Sequence, residues 1–558
     1  MENQRTLLYI SLAMVLFLVW SSWQQDYGPQ PVQSTEQSST SESSVQSSND
    51  LPGAVTAEQP KNDIPGAERA SMPEMKAMPE TSSRQAIHVV TDKLDVLIDT
   101  RGGDITSAKL IDYPQSPDQP DQPFLLMGGQ HDKFFIAQSG LVSADAKAPS
   151  HHAIYNVSQT EFKLADGKET LTVDLHWQEN DVQVVKSYIF TRGSYVVDVK
   201  HKVSAASDWS GSQYSQFVRA EPQSQENQFI YTYTGGVVYN DEVKYEKVEF
   251  SDMASKTLDI EGPTTFTGGW AAMIQHYFLS AWLPEKDESN FYYSNQTGDN
   301  RYLLGLRSSA QSIKAGETTE FNRRIWVGPK LQNEMEVVAP GLELTVDYGF
   351  LHIIGKPLFW LLEIFHDWTG NWGWAIIFLT IVVKLVFYKL SEASYRSMAR
   401  MRKLSPRLKS LKERYGDDRQ AMSKAMMEMY KTEKINPLGG CFPMLVQIPV
   451  FIALYWVLLE SVEMRNAPFM LWLDNLSAKD PYFVLPVVMG LSMFLQFKLN
   501  PAPMDPIQQK VFQFMPIIFT VFFAFFPSGL VLYWVVNNIL SIAQQYVITK
   551  RIEAGEEK

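Results

Sequence analysis

Apolar and polar positions are segregated along this chain. Thr6 to Trp23, TLLYISLAMVLFLVWSSW, is an apolar run of 18 residues, just long enough to cross a bilayer as a helix. It ends in Trp20 and Trp23, rings suited to a membrane–water interface, and lacks the small-residue cleavage pattern of a secretory signal. Residues 1–23 are therefore expected to form an uncleaved signal anchor. Residues 24–84 are rich in Ser, Gln, Glu and Pro, as in QSTEQSSTSESSVQSSND. They carry too few apolar groups to offset the entropy of ordering and read as a disordered linker. From 85 to 340 the pattern becomes short and alternating, as in LTVDLHWQ (171–178), VQVVKSYIF (182–190) and SYVVDVKHKVS (194–204). Turn signals at Gly102-Gly103, Asp166-Gly167, Arg192-Gly193 and Gly235-Gly236 punctuate it. Regularly spaced short strands of this kind predict a β-sandwich.

Beyond 345 the periodicity turns helical and strongly apolar. Residues 346–366 contain FLHIIGKPLFWLLEIF, broken by Gly355, Lys356, Pro357 and Glu363. That run is too short and too charged to span, and suits a helix lying in the interface. Five apolar segments follow at 372–390, 442–459, 482–499, 511–526 and 528–548, with a tail at 549–558. Little more than Pro527 separates the last two, which predicts a tight antiparallel pair. Residues 391–434 are polar and helical by their own signals. Ser405-Pro406 starts one helix, which stops at Gly416, and a second restarts near Arg419. The expected fold class is thus a membrane protein with a signal-anchor helix, a large external β-sandwich domain, and a C-terminal five-helix bundle carrying a helical hairpin.

Charge orients these parts. Residues 389–434 hold 13 Lys+Arg against 6 Asp+Glu, which places the hairpin in the cytoplasm by the positive-inside rule. An odd number of crossings then puts 24–345 outside, and six crossings in all leave both termini cytoplasmic. The outside portion has 26 Lys+Arg and 44 Asp+Glu, a net of −18 that argues against DNA as a partner. One cysteine, Cys441, precludes an internal disulfide framework. The histidines at 88, 131, 151, 152, 176, 201 and 276 have no metal-ligand spacing. No catalytic constellation, cofactor motif or Gly-rich phosphate loop is present. The basic positions Arg396, Arg400, Arg402, Lys403, Arg407, Lys409, Lys412 and Arg414 are candidates for cytoplasmic docking of acidic partners or ribosomal RNA. Orientation and attraction to lipid headgroups would explain the same charges. The hairpin's methionines read as packing between its two helices more than as a binding face.

Inside the spans, Lys384 stands out. A lysine in hydrocarbon costs on the order of 3 kcal/mol. Counted from Leu390 it lies roughly 9 Å from the cytoplasmic end, so snorkelling is one account. Thr380 precedes it by one turn, Gln447 stands at similar depth on the next span, and Trp534, Asn537 or Asn538, and Ser541 follow helical spacing on the last. A hydrated cavity open to the cytoplasm is the other account. Prolines at 443, 449, 486 and 516 are expected to kink the helices.

These residues sit in strings that resemble the YidC family of bacterial membrane protein insertases. The strings are VDYGFLHIIGKPLFWLL (346–362), LKERYGDDRQ (411–420), INPLGGCFPMLVQIPVFIALY (435–455) and MPIIFTVFFAFFPSGLVLYW (515–534). The resemblance implies the Gram-negative form, with a periplasmic β-supersandwich between its first and second spans. It implies a chaperone-like insertase of the inner membrane, without nucleotide, cofactor or covalent chemistry, that acts alone or with the Sec translocon. Nascent membrane proteins would be its substrates, and the ribosome and signal-recognition machinery further partners. Lys384, Thr380, Gln447, Tyr533, Trp534, Asn537 and Ser541 would line a substrate groove, and the hairpin would receive substrate. Lysine stands where the family usually carries arginine. It offers a compact, titratable charge without the planar fork, so bidentate contacts do not carry over. A small-anion transporter or channel is the alternative reading of the same polar set.

Overall fold

The computed structural model describes residues 84–553 apart from 117, 131–132, 145–147, 223–231, 243, 255–257, 259, 261, 299, 417, 434–441 and 500–505. The expected anchor at 1–23, nearly all of the linker at 24–84, His131, Cys441 and the end of the tail lie outside the described residues.

Alternation at period two becomes two packed sheets. LTVDLHWQ lies in the strand Thr170–Glu179, VQVVKSYIF in Val182–Thr191, and SYVVDVKHKVS in Val196–Ala205. These three adjoin one another at one edge of an eight-stranded antiparallel sheet. An eleven-stranded sheet faces it, built around Trp209–Ala220, which pairs on either side with Phe135–Ser143 and Arg301–Ser308. Side chains cross between the layers: Trp282 donates to the Gln216 carbonyl at 3.2 Å, and Lys186 to that of Ser139 at 2.8 Å. Gly102, Gly103, Gly167 and Gly193 adopt the left-handed conformation that their turns require. Gly235-Gly236 is not a turn. It opens the buried strand Gly235–Asn240, where a Cβ on Gly236 would strike Met253 and come within 2.9 Å of Leu304. The glycine there serves close packing.

The helical part begins with α1 (His352–Thr369), which runs unbroken through Gly355 and Pro357 and ends at left-handed Gly370. Gly355 lets Tyr348 pack against the helix, at 2.9 Å from where a Cβ would sit. Next come α2 (Trp372–Val386), α3 (Tyr388–Lys403), α4 (Ser405–Tyr415) and α5 (Arg419–Thr432). Then follow α6 (Phe442–Glu460), α7 (Val484–Leu499), α8 (Pro506–Phe523) and α9 (Ser528–Glu553). Asn371 caps α2 by accepting from the Gly373 and Trp374 amides, and Asp418 caps α5 in the same way. The segment expected at 372–390 is shorter as a helix: it breaks at Phe387 and turns by 67° into α3. Among the described residues no single helix is long and apolar enough to cross a membrane, and α2 with the start of α3 meets that measure only as a bent pair.

The two parts meet at the end of α6. His276 bonds to the Leu459 carbonyl at 2.9 Å, Tyr348 reaches Ser461 at 3.5 Å, and Asn333 donates to Glu363 on α1 at 2.8 Å. Arg465 lies over the rings of Phe124 and Phe278 at 5.2 and 5.3 Å. Buried Lys330 and Glu460 face one another across this joint.

Candidate functional site

Lys384 occupies the last turn of α2, only two residues before Val386, so it is nearer the helix end than a segment ending at Leu390 implied. It does not extend outward. Its side chain turns into the bundle, 8 % exposed, and its ammonium donates to Ser541 Oγ on α9 at 2.7 Å. The Ser541 hydroxyl in turn donates to the Asn537 carbonyl at 2.7 Å. The chain break at Phe387 makes this geometry, because it turns α3 by 67° from the line of α2 and packs it against α9. Tyr395, Ser391 and Ser394 on α3 are buried, and Tyr395 bonds to the same Ser541.

The other expected groove residues take different positions. Thr380 is fully buried and spends its hydroxyl on the Ile376 carbonyl of its own helix, at 2.7 Å. Trp534 is half-buried, edge-on to Phe451 at 4.5 Å and beside Phe523 at 5.2 Å. Tyr533 is buried next to Phe451 at 6.1 Å. Gln447 on α6 is half-buried, and its amide nitrogen has no partner among the described residues. Asn537 meets the lysine's partner through its carbonyl, whereas Asn538 is the buried side chain, donating to Ser492 on α7 at 2.9 Å.

Asn538, Ser541 and Gln545 are all buried at helical spacing on α9. The Asn538 and Ser541 positions of that stripe were legible from the period; Gln545 was not among the residues read from it. Ser492 was not, being a lone small polar residue in an apolar helix.

The opposite end of the bundle is covered. The loop after α6 folds over it, with Leu473 and Leu476 buried. Asn371 donates to the Pro468 and Phe469 carbonyls, the Gly529 amide to the Leu476 carbonyl, and the Trp472 indole to Asp480. Within the loop, burial pushes the Glu463 carboxyl up to about 8.

On the hairpin, Met426 and Met429 of α5, with Met401 from the end of α3, pack against Leu404 and Leu408. Arg396 pairs with Glu392 and Arg407 with Glu433, each at 2.7 Å. Arg400 and Arg414 are exposed. The side chains of Arg402, Lys403, Lys409 and Lys412 lie outside the described residues.

Known proteins match both parts of this architecture. Residues 86–361 match the family described as the YidC periplasmic domain, and residues 364–556 the one described as 60Kd inner membrane protein. The membrane protein insertase YidC of Thioalkalivibrio sulfidiphilus is 52 % identical over all of this chain and all of that protein. That of Methylococcus capsulatus is 50 % identical over 99 % of each. A crystal structure of an active YidC insertase with its first transmembrane domain resolved aligns over 84 % of this chain and 93 % of that one, at 17 % identity and a TM-score of 0.39. With identity near one half over the whole length, spanning both the β-sheet domain and the helical region, this chain belongs to the YidC family of membrane protein insertases.

Proposed function

We propose that this chain inserts proteins into the bacterial inner membrane, receiving them in a polar groove that opens to the cytoplasm. The family is not enzymatic, and its members are inner-membrane proteins with a periplasmic domain. In this reading residues 6–23 and the segments 372–390, 442–459, 482–499, 511–526 and 528–548 cross the bilayer, and both termini are cytoplasmic. The helix α1 lies in the outer interface. A substrate's short polar segment enters beside α3, and Lys384 attracts its acidic groups. The apolar part then partitions into lipid, downhill by about 0.8 kcal/mol per CH₂. The Sec translocon joins for larger clients, and the basic hairpin docks the ribosome or targeting machinery.

One observation carries this reading: the polar groups gather at the Lys384 end, while the loop 466–480 covers the other. A small-anion transporter would need a polar path through that covered end. The test is depletion of the host's insertase and rescue by variants of this chain. Lys384→Glu should reach the membrane at normal level and fail to rescue. Normal rescue would remove the charge from the mechanism.

A further inference from the structure

The β-sheet domain and the start of α1 flank an open pocket of about 560 Å³ that the insertion reading does not use. Its wall carries both signs of charge, Lys247 and Glu246 from the strand Lys244–Val248 and Asp347 from the connection before α1, and the hydrogen-bonding ring of His352 at the start of α1. Lys247 and Asp347 pair at 2.7 Å, yet 39 % and 42 % of their side chains remain exposed. The second Asp347 oxygen accepts the Gly349 amide at 2.8 Å and orients the turn that begins the helix. Tyr245 also lines the wall, and its buried hydroxyl has no partner among the described residues.

A simple anion would meet Lys247 and His352 but be opposed by Asp347 and Glu246. A simple cation meets the reverse problem. A zwitterion with an anion and a hydrogen-bonding ammonium a few ångströms apart satisfies both halves. The rim adds a second requirement. Phe350 and Ile353, each 85 % exposed, flank His352, and Ile353, Trp360, Ile364 and Trp368 continue as one exposed apolar face along α1. Such a face beside a charged pocket suits an amphipathic helix at headgroup depth.

We propose that this pocket binds the headgroup of an ethanolamine phospholipid in the outer leaflet. The phosphate sits against Lys247 and His352, the ammonium against Asp347 and Glu246, and the acyl chains run along Phe350 and Ile353. The assignment rests on the placement of α1 in the outer interface.

The test uses the full-length protein, equilibrated with phosphatidylethanolamine, phosphatidylcholine and phosphatidylglycerol and read by native mass spectrometry. Phosphatidylethanolamine should be retained about tenfold over phosphatidylglycerol, the worth of one charge-assisted contact. Phosphatidylcholine, which cannot donate a hydrogen bond from its ammonium, should fall between them. Lys247→Glu should erase the preference, and so should Asp347→Asn, which keeps the oxygen that accepts the Gly349 amide; a circular-dichroism spectrum like that of the parent checks that each variant is folded. Equal retention of all three lipids, or an undiminished preference in Lys247→Glu, overturns the proposal. Displacement of the lipid by equimolar soluble glycerophosphoethanolamine overturns it too, by assigning the site to the free phosphoester. A spin label at Ile353→Cys, in a Cys441→Ser background in vesicles, separates the two levels. A label in water refutes the interfacial placement of α1, whereas a label in lipid without headgroup preference refutes this proposal alone.

Discussion

The joint between the β-sheet domain and the bundle should respond to pH through Glu463. This carboxyl is almost completely buried, and burial pushes it up to about 8 from an ordinary 4.5. Glu363 on α1 adds repulsion, the phenols of Tyr113 and Tyr348 lie close, and one carboxyl oxygen has no partner among the described residues. The native state therefore holds a proton that the unfolded chain releases above about pH 4.5. The stabilising contribution is complete below that pH and is lost as pH rises through about 8. At about 1.4 kcal/mol per pH unit the full span amounts to ~4–5 kcal/mol, an upper value because buried sites relax. Glu463→Gln keeps the shape and removes the titration. Thermal midpoints of both proteins in detergent, from pH 4 to 9, should run together at the acid end. They should part progressively above about pH 4.5, with the variant higher by several degrees at pH 8.5. Parallel profiles over the whole range would refute the reasoning, since they would mean that Glu463 titrates alike folded and unfolded.

Three further outcomes follow from the packing. Lys330→Met should cost ~3–5 kcal/mol, because it leaves Glu460 buried without the cation it faces; adding Glu460→Gln should recover most of the thermal midpoint. Gly373→Val should loosen the loop that covers the bundle, since a Cβ there collides with the Phe469 ring; a loss of ~1–3 kcal/mol, partly relieved by Phe469→Ala, would show as a lowered and then restored midpoint. Ser541→Ala removes the hydroxyl that receives the Lys384 ammonium; rescue of a depleted strain should weaken at normal protein level, and an unchanged rescue would detach Ser541 from the groove.

Period-two alternation was enough to find the strands from Thr170 to Ala205, because each buries alternate residues on one face. It could not foresee Trp209–Ala220, whose central position in the larger sheet buries it on both faces. Gln213 and Gln216 are fully buried there: the Gln213 amide nitrogen meets His201, and Gln216 bonds to Gln138 and Tyr293. Polar residues at such positions resemble a surface strand until their partners are known. The break at Phe387 was hidden for a related reason. Phe387 and Tyr388 are as apolar as what precedes them, and only the packing of α3 against α9 says that the direction changes there.

Two of the buried lysines, Lys186 and Lys384, show why one residue can be read as structural and another as a site. Lys186 shares the inward register of Val184 and Tyr188, which carries its charge inside the sandwich. Its ammonium donates to the Gly102 and Ser139 carbonyls at 2.9 and 2.8 Å, and the buried Asp104 carboxylate lies close enough to stabilise the charge. Two acceptors and a counter-charge leave an ammonium little unused capacity. Lys384 has one hydrogen bond among the described residues, to the neutral Ser541 hydroxyl. A buried cation with donors to spare is costly unless something intermittently supplies the missing acceptors. Water and the acidic groups of an entering polypeptide both can, and the bend into α3 sets that unfilled demand where the bundle leads into the helical hairpin. Missing acceptors rather than depth make Lys384 costly, so Lys384→Met should stabilise the resting protein while disabling the proposed insertion, whereas Lys186→Met should leave Asp104 without its counter-charge and destabilise the β-sheet domain without touching the proposed groove.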